Sequence, residues 1–244
     1  MRYIVFGLVL AAIAPPSFAQ IAPLADRVAR QNALFEEFYQ TSLKNSPERA
    51  TAYGDYRYNS QLGQYSLAEI ARQHAEADNF LKQLQAIPTE GMSDKDLLSH
   101  QLLERQLQRE DVNYSLKNYE MPVNQQNGIH TRLADLPLSV PLDSVEHYQD
   151  YISRLRQIPR VLEQTTEVMR QGEKDGLMPP NLVLEKLPGQ CEGIIAANPF
   201  LRPTTTFPAS FSEADKKRLT QEITAAVNAQ GLSRSSEVRR VPAH

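Results

Sequence analysis

Five histidines, a single cysteine and scattered carboxylates are the side chains of this sequence with the means to hold a metal, attack a carbonyl or carry a proton. The histidines are His74, His100, His130, His147 and His244. A helical zinc-hydrolase site needs H-E-x-x-H, because one turn of helix then aims two imidazoles at one metal and a glutamate at the attacking water. No histidine here opens that pattern. His147 has Asp143 and Tyr151 one turn away and Asp150 three residues on, which is half of a metal site or an ordinary surface histidine. In His74-Ala75-Glu76 the polar pair sits at i and i+2, on different faces of a helix. His130 follows Gly128 in an irregular stretch, the kind of backbone on which functional residues concentrate.

Nucleophilic and nucleotide chemistry find no better footing. The sequence has no G-x-S-x-G elbow, no phosphate-binding loop and no dinucleotide fingerprint; Gly172 and Gly176 read as the end of a helix. Cys191 has no partner for a disulfide, and Glu192 beside it disfavours a thiolate, so it reads as a small buried apolar side chain, a reactive thiol being the alternative. The pairs Glu36-Glu37 and Glu110-Asp111 fall on helical faces, where carboxylates are usually solvated. Tyr53, Tyr56 and Tyr58 either line a ligand groove or pack a loop onto the body, the latter being the commoner use. Local patterns therefore assign no catalytic residue, no metal ligand and no cofactor contact.

The elements that would position a site are easier to read. Between Asp143 and Pro180, apolar residues at Val145, Tyr148, Ile152, Leu155, Ile158, Leu162, Thr165 and Met169 step by three or four, the stripe of an amphipathic helix with Arg, Gln and Glu opposite. Ser144 or Asp143 caps it and Gly172 ends it; Pro159, which removes a backbone donor, predicts a kink or break near Gln157. Pro23 to Asn45 forms an earlier helix, and Pro47 to Tyr53 a helical turn followed by a loop. Ser66 with Glu69 is a capping box opening a helix to Ile87, and Ser93 caps the next; the short break between them forces an antiparallel hairpin. Tyr119 to Leu142 is proline-rich and without helical spacing, an ordered but irregular connection. A helix from Pro179-Pro180 runs through Leu184 and is interrupted by Pro188-Gly189, and Asn198 to Ala209 is extended. Ser212 and Asp215 open a last helix carrying Leu219, Ile223 and Val227. The fold class is all-α: an irregular multi-helix array with long antiparallel helices and no significant sheet.

The two ends are written differently from the middle. Arg2, the apolar run Ile4 to Ala14 and the small residues Ser17 and Ala19 make residues 1–19 a signal peptide cleaved after Ala19. Eleven apolar residues are too few for a membrane span, which needs roughly 20. Residues 20–230 read as one helical domain. From Gly231 the periodicity stops and the charge turns positive, so 231–244 reads as a flexible tail, truncated or frameshifted near Gln230, or as a natural flexible C-terminus. Without Arg2 the chain has 25 basic and 29 acidic residues, a net charge of −4. That balance carries no footprint of a nucleic-acid binder, and the destination is periplasmic or secreted.

Several phrases, taken in order, resemble a bacterial family known as domain of unknown function eight-eight-five. They are Pro47-x2-Ala50-Thr51-x2-Gly54 and Arg57-Tyr58-Asn59, then Met121-Pro122-Val123-Asn124-Gln125 leading to Gly128. Tyr151-Ile152-x2-Leu155-x3-Pro159 follows, then Met169-Arg170-x-Gly172-x3-Gly176-x2-Pro179. Phe207-Pro208 and Leu219-x3-Ile223-x2-Ala226-Val227 complete the match. The resemblance implies an exported, largely helical, zincin-like zinc peptidase about twice this length, whose H-E-x-x-H helix lies beyond the last matching residue. It implies that this chain corresponds to the N-terminal half, a scaffold walling one side of a peptide-substrate channel and lacking the zinc site, with zinc expected only in the absent C-terminal half. Whether the chain is an enzyme is thereby left open. The alternative is a self-sufficient periplasmic helical module that binds a peptide or protein partner.

Protein recovered from the periplasm is expected to begin at Gln20, as read by intact mass. A periplasmic chain still carrying residues 1–19 would rule out the cleavable leader.

Overall fold

A computed structural model describes residues 22–231; the leader, its cleavage site after Ala19, and the tail beyond Gly231 with His244 lie outside the described residues. The helices are α1 (Leu24–Asn45), α2 (Pro47–Ala52), α3 (Leu67–Gln85), α4 (Asp94–Ser115), α5 (Ile129–Ala134), α6 (Leu136–Ser139), α7 (Val145–Asp175), α8 (Asn181–Leu184), α9 (Leu187–Ala197) and α10 (Glu213–Gly231). Single 3₁₀ segments lie at Tyr56–Tyr58, Asn118–Glu120 and Pro199–Thr204, and no strand occurs among the described residues. The all-α reading holds.

The caps predicted from sequence are made. The Ser66 hydroxyl accepts from Glu69 N–H at 3.2 Å, Ser93 from Asp96 at 3.2 Å, Ser144 from His147 at 3.1 Å and Ser212 from Asp215 at 3.1 Å. Each satisfies one of the amides that a helix start leaves without a partner.

Two clusters make the core. In the first, Leu34 of α1 packs on Phe80 and Leu84 of α3, Ile87, and Leu107 of α4. A buried polar trio fixes α1 against this hairpin. Arg27 donates to the carbonyls of Ala22 (2.9 Å), Pro88 (2.5 Å) and Glu90 (3.0 Å); Gln31 donates to Asp96 O (3.1 Å) and pairs with His100 Nδ1 (2.8 Å). The second and larger cluster surrounds α7 and α10, where Tyr148, Ile152, Leu155 and Val161 meet Leu219 and Ile223. The Tyr148 and Tyr151 hydroxyls donate to Pro203 O (3.0 Å) and Phe200 O (2.8 Å), tying the 3₁₀ segment to the α7 face.

The organising helix departs from expectation in two ways. Of the kink or break expected near Gln157, the break does not occur: the helix runs through Pro159 to Asp175, and its terminator is Gly176, at φ +74°, rather than Gly172. The chain from Ser60 to Tyr65 lies along α7 and is held by a ladder of its polar side chains on both sides of the proline. Ser153 Oγ and Gln157 Nε2 both donate to Ser60 O at 2.8 Å; Gln157 Oε1 accepts from Leu62 N (3.0 Å), and Gln164 Oε1 from Tyr65 N (2.9 Å). Those tertiary bonds offset the one helical bond that proline removes. Gly172 is buried where a side chain has no room: a Cβ there would stand 2.6 Å from Glu120 O and 3.0 Å from Leu177 O.

Arg154, predicted on the solvent face, is instead fully buried. Its guanidinium donates to Gln61 O (2.9 Å), to Pro47 O (3.2 Å) and to Thr51 Oγ1 (2.6 Å), so one side chain joins α7, α2 and the 60–65 strap. Among the described residues no carboxylate lies within ion-pair distance, and burial lowers its pKa against the opposing pull of Glu48 and Asp150. Two shorter stretches are also corrected. The 119–142 connection contains α5 and α6, with Ile129, Leu133 and Leu136 buried. The interruption expected at Pro188 is present: α8 stops at Leu184, whose carbonyl a continuous helix would pair with the amide that Pro188 lacks, and Pro188 lies in the first turn of the separate α9. Part of 198–209 is 3₁₀ rather than extended.

Arg154→Ala is expected to destabilise the fold by about 3–5 kcal/mol, because it strands several buried acceptors at once. Arg156→Ala, on the exposed side of the same helix, should change stability by less than about 0.5 kcal/mol. Urea unfolding midpoints of the two variants check this.

Candidate functional site

The four described histidines are dispersed, and each has a partner within the fold. His74 stacks on Tyr114, with ring centroids 3.7 Å apart, and its Nε2 is 3.7 Å from Asp111. His100 is buried on Gln31, and its pKa is lowered by that burial. His147 Nδ1 meets the carboxylate of Asp143 at 2.5 Å, while the ring stands edge-on to Tyr56. Among the described residues no group of three His, Cys, Asp or Glu side chains stands close enough to hold a metal ion.

Of the three loop tyrosines, Tyr53 is 65% exposed and does not pack onto the body, whereas Tyr56, 47% exposed, rests on His147 of α7. Tyr58 lies beneath the Arg57 guanidinium, 5.5 Å from its centroid, and Arg57 is held in turn by Asp55 and Gln40. The loop is ordered by these polar contacts as well.

His130 leads to the arrangement with the most chemistry. The chain from Met121 to Gly128 has no helix; Asn124 shapes it, its side-chain oxygen accepting from Gln126 N (2.9 Å) and Asn127 N (2.8 Å) while its backbone N–H donates to Asn127 O (2.8 Å). Val123 and Ile129 anchor the two ends in the α7 core. From α9, Gln190 clamps this loop: Nε2 donates to Gln125 O (2.9 Å) and Oε1 faces His130 Nε2 (3.2 Å). That pairing puts the imidazole proton on Nε2. The side-chain oxygen of Gln125 is buried without a partner.

Beside the clamp, Leu182 of α8, Ile195 of α9 and Met178 just before α8 are exposed, and no residue of either helix is fully buried. A clamped loop next to apolar side chains suits recognition of a peptide: backbone amides both donate to and accept from another backbone, and apolar neighbours take side chains. It contains no activated nucleophile and no acid–base pair. Cys191, next to Gln190, is half-buried, and its thiol is pushed up chiefly by burial and then by Glu192. The sequence pointed to His130 through its irregular setting. It gave no sign of Gln190 or Gln125, which are ordinary polar residues until the fold brings residues 125, 130 and 190 together.

The phrases that carried the family resemblance also converge. Thr51, Asn59 and Arg154 form one buried polar group, Thr51 Oγ1 donating to Asn59 Oδ1 (3.0 Å) and Asn59 Nδ2 to Asp150 (3.1 Å).

A family model described as a bacterial protein of unknown function (DUF885) matches residues 47–239. The fold is similar to the crystal structure described as that of the "putative lipoprotein from Colwellia psychrerythraea", at a TM-score of 0.73 and 15% sequence identity. The match covers 87% of this chain and 40% of that one, so this chain spans less than half the length of its structural relative. No curated protein matches the chain in sequence.

Cys191 is expected to react with iodoacetamide at pH 7 several-fold more slowly than free cysteine, because only the thiolate attacks and burial disfavours it. The rate should rise as the pH is raised through the thiol's elevated pKa, and should reach that of free cysteine in urea. Mass spectrometry of alkylated protein over time reads the difference.

Proposed function

Because the chain belongs to the bacterial family DUF885, we propose that it is the N-terminal helical scaffold of an exported zinc-peptidase-like protein, inactive by itself. The observation that carries this reading is the relation to the longer structure: 87% of this chain superposes on a body of which it accounts for 40%. The face formed by the 121–128 loop, Gln190 and the exposed side of α8 and α9 is the one suited to wall a peptide channel completed by the other half. The description of the structural relative as a lipoprotein supports export.

The zinc that such a peptidase would use does not fit the donors of this chain. A catalytic zinc takes three protein ligands plus an open position. Here the described imidazoles lie apart on Tyr114, Gln31, Gln190 and Asp143. The chain's part in the chemistry is therefore to position substrate: the loop that Gln190 clamps presents its backbone to a peptide, and the exposed apolar side chains of α8 and α9 accept its substituents. No helix among the described residues is long and apolar enough to cross a membrane.

A second reading rests on the same face. A clamped loop without acid–base groups also suits a periplasmic module that binds a peptide and releases it unchanged. Coding sequence downstream that contains an H-E-x-x-H segment would decide for the scaffold.

After dialysis, the mature chain is expected to retain no stoichiometric zinc and to leave a mixed peptide library uncut. Metal analysis with a mass-spectrometric peptide assay tests both. One tightly held zinc per chain, with hydrolysis abolished by a chelator, would overturn the proposal.

A further inference from the structure

Helix α4 carries apolar residues on two opposite sides. His100, Leu103 and Leu107 face α1 and α3, while Leu98, Leu102, Val112 and Leu116 face outward and are each more than half exposed. The outward set is not scattered. Leu98, Leu102, Arg105, Arg109, Val112 and Leu116 follow one another at steps of 4, 3, 4, 3 and 4 residues. That is the spacing of a coiled-coil seam, and it runs about 27 Å along the helix.

Two further observations say what belongs there. The middle of the seam is occupied by Arg105 and Arg109, both exposed, and among the described residues neither has a carboxylate or hydrogen-bond partner. Beside the seam lies a groove of about 630 Å³ between α1 and α4, whose floor is Phe35 and Phe38 with Leu103, and which both arginines line. An apolar seam with an unpaired cationic centre, flanked by an apolar groove, is complementary to another helix with the opposite centre.

A second copy of this chain is a poor occupant. Pairing two seams antiparallel brings Arg105 of one against Arg109 of the other, and pairing them parallel sets each arginine against itself. Both arrangements bury like charges.

We propose that the outer face of α4 is a docking surface for an amphipathic helix of another protein segment, with apolar residues at its ends and an acidic pair at its centre. Binding places two carboxylates against Arg105 and Arg109 while leucine-like side chains fill the layers at Leu98, Leu102, Val112 and Leu116.

The test uses the mature chain and two synthetic 21-residue helical peptides, identical except for a central pair that is Glu-Glu in one and Lys-Lys in the other. In fluorescence anisotropy at low salt, the Glu peptide is expected to bind at least about tenfold more tightly than the Lys peptide. The double variant R105E/R109E, whose circular-dichroism melt should match the parent because both sites are exposed, is expected to invert the preference. Leu102→Asn should weaken both peptides. Equal affinity for the two peptides would overturn the proposal. So would an unchanged preference in R105E/R109E, or no binding of either peptide. A concentration-dependent dimer lost on Leu102→Asn would overturn it in favour of a second copy. Capture by phosphatidylglycerol vesicles, lost in R105E/R109E while neither peptide binds, would do so in favour of a lipid surface.

Discussion

The buried guanidinium of Arg154 is the interaction on which the arrangement of the helices depends. It is placed where no carboxylate neutralises it, and its hydrogen bonds go to carbonyls and one hydroxyl. Such a group is costly to bury, and among the described residues one of its nitrogens has no partner. The return is geometric: a planar fork of donors fixes α2, the 60–65 strap and α7 in one relative pose, as a point charge such as lysine would not. Thr51, Asn59 and Asp150 extend the same network, so α2 and the loop at Asn59 are registered against α7 by directional bonds.

The strap is the second consequence. Residues 60–65 have no helix or sheet to satisfy their backbone, and buried amides and carbonyls must be paired. The polar side of α7 does this work residue by residue through Ser153, Gln157, Arg160 and Gln164. The same side chains brace the helix across Pro159. A flaw in the middle of a 31-residue helix is thus tolerated because the helix is splinted there.

Exposed apolar surfaces then fall where this frame leaves side chains without neighbours. Around α8 and α9, apolar residues sit beside the 121–128 loop; on α4, an apolar seam surrounds Arg105 and Arg109. Exposed apolar patches of this kind are where proteins most often meet partners.

Sequence alone determined the long helices, because caps and periodicity are local: Ser66, Ser93, Ser144 and Ser212 act on amides three residues away, and the α7 stripe is a property of its own residues, whereas the short α5 and α6 carry no such signal. It also determined the family, since ordered phrases spread over most of the chain carry that information. It misplaced Arg154, Gly172 and Pro159 for one shared reason. An arginine reads as solvated, a glycine as a stop and an internal proline as a break unless something distant supplies carbonyls, crowds out a side chain or replaces a lost bond. Here Pro47 and Gln61, Glu120, and the strap are those partners, 93 and 107 residues from Arg154 in its case. Only the tertiary structure decides such matters, because burial and long-range hydrogen bonding are properties of which segments meet, and no local pattern of residues records that.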